Sequence, residues 1–228
     1  MIVSHRHRFI FVKSRKTAGT SIEIALSEHC GPDDIIGKIS VEDELIRRDL
    51  GFREPQNLVV PIHRYTPRMA ATLIRRRRRA NYYNHMSAKV IKRAIGSRTW
   101  QTYFKFSIER NPYDKAISHY WFRTRNWDPR PSLAEFLRNR PVGLSNWPIY
   151  TIDSEIAVDR ILRYENLEDD LVGVGEEFGI KIHLPETKAK GNYRRDQRPY
   201  TEVIDPASRA IIEHVCAREL KAFGYTWD

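Results

Sequence analysis

Phe9-Ile-Phe-Val-Lys-Ser-Arg-Lys-Thr-Ala-Gly-Thr-Ser-Ile22 begins as a short apolar run and ends in the first turn of an amphipathic segment. The run Phe9–Val12 reads as a buried strand, and Ile22, Ala25 and Leu26 then recur at helical spacing. Between them lies a turn of small, basic and hydroxylated residues. Two later stretches repeat the order. Tyr103–Ile108 alternates as a strand, Arg110-Asn111-Pro112 forms the turn, and Tyr113, Ala116, Ile117, Tyr120 and Trp121 follow on one helical face. Asn111 suits the N-cap and Pro112 the first helical position. Ile161–Glu165 leads in the same way to Leu167, Leu171, Val174 and Phe178, stopped by Gly179.

Strands alternating with helices predict an α/β fold with a central, mostly parallel sheet flanked by helices on both faces. Further helices are expected from Ser87 to Ile95, from the capping box Ser132-Leu-Ala-Glu135, and from Asp205-Pro206 through Phe223, stopped by Gly224. Ligands of such sheets sit at the carboxyl ends of the strands, where all three turns fall. Residues 1–228 read as one domain. With 41% hydrophobic and 30% charged residues, the composition is that of a globular protein rather than a disordered one.

Lys and Arg number 39 against 29 Asp and Glu, a formal net charge of +10 that calls for an anionic partner without choosing one. No apolar stretch approaches the ~20 residues of a membrane span, and the chain reads as cytoplasmic. Cys30 and Cys216 are expected as free thiols, His5 and His7 as part of a frayed start, and no set of residues is spaced for a metal.

The first turn has the parts of a phosphate cradle. Ala18 and Gly19 allow close backbone approach, while Thr20 and Ser21 put hydroxyl and N–H donors at the positive end of a helix. Arg15 and Lys16 add charge, and Thr17 lies between them and the glycine. The order is not that of a Walker A loop, because the lysine precedes the glycine.

Phe11–Ile22 resembles the 5′-phosphosulfate loop of the carbohydrate sulfotransferases, which reads Lys-Thr-Ala-Gly-Thr-Ser after a strand. Phe104–Tyr120 resembles that family's second signature, an Arg-Asn-Pro turn with a serine two helical turns onward. The resemblance runs from Phe9 to about Tyr225, and the two specific motifs fall in the family's order. It implies a P-loop NTPase-like three-layer sandwich. It also implies 3′-phosphoadenosine 5′-phosphosulfate (PAPS) as donor, with Arg15 to Ser21 on its 5′ end and Arg110 and Ser118 on its 3′-phosphate. Asn84-His85-Met86 resembles the segment whose histidine takes the acceptor's proton, which makes His85 the expected general base and Lys16 its catalytic partner. His63 is the rival base or an acceptor contact, and Glu165 an acceptor contact or a base-orienting group. Tyr193, Arg194 and Arg195 lie in a basic, aromatic stretch that in the family closes over the nucleotide.

The chain departs from the family at Lys13-Ser-Arg15, where His-x-Pro is commoner, and in the five arginines Arg75–Arg79, a solvated face or a seat for an acidic glycan acceptor. Two other readings stay open: a P-loop-like nucleotide kinase, and a basic nucleic-acid-binding module, although no recognition-helix pattern is visible.

Overall fold

The computed structural model describes residues 1–141, 143–185, 194 and 196–227. A tight hairpin of β1 (Ile2–Ser4) and β2 (Phe9–Phe11) opens the chain. Helix α1 (Gly19–Ser27) leaves the turn after β2, and β3 (Ile35–Ile36) returns to pair with β1. Helix α2 (Val41–Asp49) and the peripheral α3 (Pro67–Arg76), which buries none of its residues, come next. Then α4 (Ala88–Ile95) and α5 (Ser97–Thr102) lead into β4 (Phe104–Glu109). Helices α6 (Pro112–Arg123), α7 (Leu133–Asn139) and α8 (Trp147–Tyr150) precede a small hairpin of β5 (Thr151–Ile152) and β6 (Glu155–Ile156). After β7 (Arg160–Arg163) the chain closes with α9 (Leu167–Phe178), α10 (Tyr200–Val203), α11 (Pro206–Val215) and α12 (Ala217–Phe223).

The central sheet has the order β3-β1-β2-β4-β7. Strands β2, β4 and β7 run parallel, and β1 is antiparallel to both of its neighbours, so only β1 runs against the common direction. The carboxyl ends of β2, β4 and β7 therefore lie side by side, as the three strand–turn–helix units predict.

Side chains alternate across the pleat and split the core in two. Met1, Val3, Ile10 and Val12 pack on one face with Ala88, Ile91 and Trp100 of α4 and α5. Ile2, Phe9, Phe11 and Phe106 pack on the other with Ile22 and Leu26 of α1 and Leu171 and Val174 of α9. A third cluster joins Tyr113, Ala116 and Ile117 of α6 to Phe136 of α7 and Ile212 of α11. Among the described residues no helix is long and apolar enough to cross a membrane.

The caps follow the sequence. Asn111 accepts the Tyr113 amide, Ser132 and Glu135 close a capping box, and Asp205 accepts from Ala207 and Ser208. The start of the chain is a correction. Met1, Ile2 and Val3 are fully buried, and β1 lies between β3 and β2 rather than fraying. His5 hydrogen-bonds Tyr103 at 2.8 Å, and His7 Nε2 donates to the His29 carbonyl at 3.2 Å. The terminal helix is also broken in two at Cys216, whose φ of −106° and ψ of 21° leave the helical region. Cys30 and Cys216 are free and buried.

Candidate functional site

The three turns at the carboxyl edge of the sheet line one cavity of about 980 Å³. Lys16 to Ser21 come from the first, Arg110 and Ser118 from the second and from α6, and Tyr164, Glu165 and Asn166 from the third. His85 and Arg194 complete the wall among the residues singled out in the sequence.

The first turn is held open by its backbone. Lys16 (φ 61°) and Ala18 (φ 56°) are left-handed, an alternation that turns successive N–H groups toward one side and makes an anion-binding concavity. No side chain caps α1, no acidic residue stands in its first turn, and its first intrahelical bond is from the Ile22 amide to the Ala18 carbonyl. Among the described residues the amides of Gly19, Thr20 and Ser21 thus have no intrahelical acceptor, the arrangement that suits an anion. The Ser14 and Thr17 hydroxyls are hydrogen-bonded to each other at 2.8 Å, and Ser14 also donates to the Ile108 carbonyl, tying the loop to β4. Gly19 is required by a neighbour as well: a β-carbon there would stand 2.8 Å from Lys13 Cγ. Lys13 itself is buried and ion-paired with Glu23 at 2.5 Å.

In the second turn the Arg110 guanidinium donates through Nε to Asp114 at 2.8 Å, again to Asp114 through Nη2, and through Nη1 to the Lys16 carbonyl at 3.3 Å. It lies over the Tyr164 ring, 4.0 Å from its centroid. Asp114 also accepts from Arg194 Nη1 at 2.5 Å, so one carboxylate gathers both arginines at the same wall. Ser118 stands one turn further along α6.

His85 is left-handed (φ 57°) and its Nδ1 lies 3.2 Å from the Lys13 carbonyl. A carbonyl only accepts, so Nδ1 carries the proton and Nε2 is left as the acceptor. Burial, with Lys13 and Arg15 nearby, lowers its pKa to about 3. The ring is therefore neutral at pH 7. Lys16, Ala18 and His85 are all non-glycine residues held at positive φ around one cavity, a strain of about 1–3 kcal/mol each that points to function.

Beneath the cavity lies a polar network that the sequence reading did not pick out. The Glu109 carboxylate, fully buried, accepts from Lys115 Nζ (2.7 Å), the Arg110 amide (2.9 Å), Asn146 Nδ2 (3.3 Å) and the Tyr150 hydroxyl (2.8 Å). Asn146, also fully buried, accepts from the Arg15 amide (2.9 Å) and donates to the Arg15 carbonyl (3.0 Å). One carboxylate thus sets the spacing of the first turn relative to the second. No sequence motif marks Asn146; Glu109 is visible only as the residue before Arg110.

The remaining expected residues fall elsewhere. His63 sits exposed on a 3₁₀ turn, Ile62–Arg64, away from the cavity wall, so it is no rival to His85 there. Glu165 lines the cavity, but its oxygens accept from the Asn111 amide (2.7 Å) and the Tyr225 hydroxyl (3.0 Å), which makes it a tie between turns. Arg15 is half-buried and is not part of the wall. Arg75–Arg79 are exposed at and beyond the end of α3. Tyr193 and Arg195 lie outside the described residues. Among the described residues no group of three or more His, Cys, Asp or Glu is placed to hold a metal ion.

No family model matches the chain. It is similar to an uncharacterized protein of Archaeoglobus fulgidus, 33% identical over an alignment of 122 residues that covers 48% of this chain and 98% of that protein. The chain belongs to one family with that protein, whose name states no activity.

Proposed function

We propose that the chain is a sulfotransferase that moves a sulfuryl group from PAPS to a hydroxyl or amine of an acceptor, a carbohydrate or glycoconjugate. The observation that carries the reading is the gathering of two anion-binding turns and one oriented imidazole around a single cavity. The same reading assigns the fold to the P-loop NTPase-like sandwiches and the protein to the cytoplasm.

The donor set suits a nucleotide with phosphates at two ends. The N–H groups at the start of α1, with Lys16, would hold the 5′-phosphosulfate. Arg110, Ser118 and Arg194 would hold the 3′-phosphate, Arg110 having N–H groups left over from Asp114 and Lys16. When bound, PAPS supplies the activated sulfuryl group. His85 Nε2 takes the proton of the attacking hydroxyl or amine, while Nδ1–H stays on the Lys13 carbonyl and fixes the ring. Lys16 and the donors of Thr20 and Ser21 stabilise the negative charge that grows on the departing phosphate oxygen. Transfer of this kind is mainly positioning and charge neutralisation, which is what these residues offer.

Calorimetry with adenosine 3′,5′-bisphosphate in the absence of magnesium tests the nucleotide half, and transfer from labelled donor to hydroxyl and amine acceptors tests the chemistry. Tight binding that needs no magnesium is expected. A preference for ATP with magnesium, or for DNA, would replace this reading with a kinase or a nucleic-acid module.

A further inference from the structure

Arg15 stands apart from the rest of the first turn. Asn146 holds its backbone on both sides, and its side chain passes Gly143, as does the His119 ring. A β-carbon on Gly143 would lie 3.6 Å from Arg15 Cδ, 3.6 Å from His119 Cε1 and 3.8 Å from Arg15 Nε, so both side chains flank one point above that glycine. Gly143, at φ 94°, keeps the space between them free of a side chain.

Among the described residues the Arg15 guanidinium has no hydrogen-bond or ion-pair partner, its two bonds to Asn146 being backbone ones. The His119 ring is 8% exposed, packs against Phe136 at 5.6 Å and makes no hydrogen bond to a described residue. Buried polar groups are nearly always bonded, and a half-buried charge without a counter-ion is costly. The neighbours do not compensate. Lys16, Arg123, Arg15 and Lys115 are the charged groups that bear on His119, and with burial they lower its pKa to about 4. Of these, Lys115 is matched by Glu109 and faces the network below. Burial lowers the proton affinity of Arg15, with no carboxylate opposing it.

The cavity wall takes Lys13, Ser14 and Lys16 to Ser21 from the first turn and Ser118 and Phe122 from α6 but leaves out Arg15 and His119, so the nucleotide does not account for this pair. Arg15 is nevertheless two residues from Lys13, whose carbonyl holds His85 Nδ1 at 3.2 Å. It therefore lies on the side of the base, where an acceptor would approach. We propose that Arg15 and His119 form a separate oxyanion subsite that receives an acidic group of the acceptor, either a carboxylate or a sulfate or phosphate ester. Assigning the subsite to an acceptor rests on the transferase reading; the anion site itself does not. The arginine fork matches a planar carboxylate or two oxygens of an ester, and the imidazole, protonated as the anion arrives, donates the next bond.

The test is an NMR titration of the His119 Cε1–H resonance with sodium sulfate and, separately, sodium acetate, with adenosine 3′,5′-bisphosphate at saturation. The expected result is a rise of the His119 pKa with one of the two anions, sulfate marking an ester and acetate a carboxylate. Arg15→Gln and, independently, His119→Gln should weaken that anion about tenfold, each with a bisphosphate affinity within about twofold of the parent and an unchanged circular-dichroism spectrum. A resonance that neither anion moves overturns the subsite. So does an Arg15→Gln protein that loses bisphosphate affinity in parallel, since Arg15 would then belong to the nucleotide. If the parent protein fails to bind the bisphosphate, the transferase reading falls, and the same titration on the protein alone still decides the subsite.

Discussion

Arg110 reaches across the sheet edge and donates through Nη1 to the backbone carbonyl of Lys16, 94 positions earlier, at 3.3 Å. The contact joins the two turns directly, and it ties the arginine's orientation to the conformation of the loop to which the proposed reading assigns the opposite end of the nucleotide. Asp114 fixes the other two nitrogens, and the Tyr164 ring supports the guanidinium plane.

Replacing Arg110 should therefore act on one phosphate in particular. Arg110→Ala is expected to weaken adenosine 3′,5′-bisphosphate by about 10- to 100-fold, the worth of a charge-assisted bond of about 1.5–3 kcal/mol. Adenosine 5′-phosphate, which lacks the 3′ group, should lose much less. Arg110→Lys should recover only part of the discrimination, because an ammonium cannot bond Asp114, the Lys16 carbonyl and a phosphate in one plane. Calorimetry on the two nucleotides reads the ratio, and an equal loss for both would place Arg110 away from the 3′-phosphate.

His85 makes a prediction about pH. Its ordinary value of 6.5 falls to about 3, through burial first and then through the Lys13 and Arg15 charges. In kcat/KM, which reports the free enzyme, the acidic limb that His85 governs should thus be absent between pH 5 and 8 and appear only on further acidification. A bound polyanion would offset those two cations and raise the value, so the limb in kcat should lie at higher pH. His85→Ala should lower turnover about 10²- to 10⁴-fold. A near-normal rate in that variant would remove His85 from the chemistry.

The same shift has a consequence for stability. Below pH 6.5 the unfolded chain binds a proton at His85 that the folded chain refuses, so stability rises with pH across the interval from about 3 to 6.5 and is lost on acidification. His119, lowered to about 4, adds a second contribution of the same sign over the upper part of that interval. Thermal melts from pH 4 to 7 should show a steeper acid loss for the parent than for a His85→Gln, His119→Gln double variant. Parallel curves would mean that other groups govern the acid limb.

Much of this site is visible in the chain because each turn sits between a strand and a helix with clear signals. Asn111-Pro112 and the Phe9–Val12 run fix where the backbone changes direction, and the parallel order brings Lys16, Arg110 and Tyr164 together. The two strands at the other edge of the sheet, β1 and β3, were not legible. Strand β1 has three residues and β3 two, too few to display an alternating period beside the charged His5-Arg6-His7-Arg8. Nor was the buried network, since the Glu109–Asn146 bond spans 37 positions and polar side chains in isolation read as surface. Gly19 is half legible: its small size shows, but the neighbour that demands it, the Lys13 stem, appears only in three dimensions.

Lys16 should separate rate from binding. It stands in the left-handed part of the loop, with Nζ 4.3 Å from the centre of the Phe122 ring, at the cavity wall. If it neutralises charge that develops only as the phosphate departs, Lys16→Ala should reduce kcat about 10²- to 10³-fold with a far smaller change in bisphosphate affinity. Equal losses in both would make Lys16 a ground-state anchor instead.

The network under the turns predicts a non-additive response. Lys115 and Glu109 are both fully buried. Burial opposes the lysine's charge, yet Glu109 beside it holds its proton affinity above the ordinary range. Lys115→Met leaves the carboxylate without its counter-ion and should cost about 3–5 kcal/mol in denaturant unfolding. Adding Glu109→Gln removes that stranded charge, while the amide oxygen still accepts from the Arg110 amide or the Tyr150 hydroxyl, so the double variant should be more stable than Lys115→Met alone. Asn146→Ala keeps the ion pair but frees the Arg15 backbone, leaving two partly buried groups unbonded, each at the lower end of about 1–3 kcal/mol. If Glu109 and Asn146 set the spacing of the turns, the double variant and Asn146→Ala should both weaken the bisphosphate more than adenosine 5′-phosphate, because only a ligand that spans both turns senses their separation. An unaltered ratio between the two nucleotides would reduce the network to a support of the core.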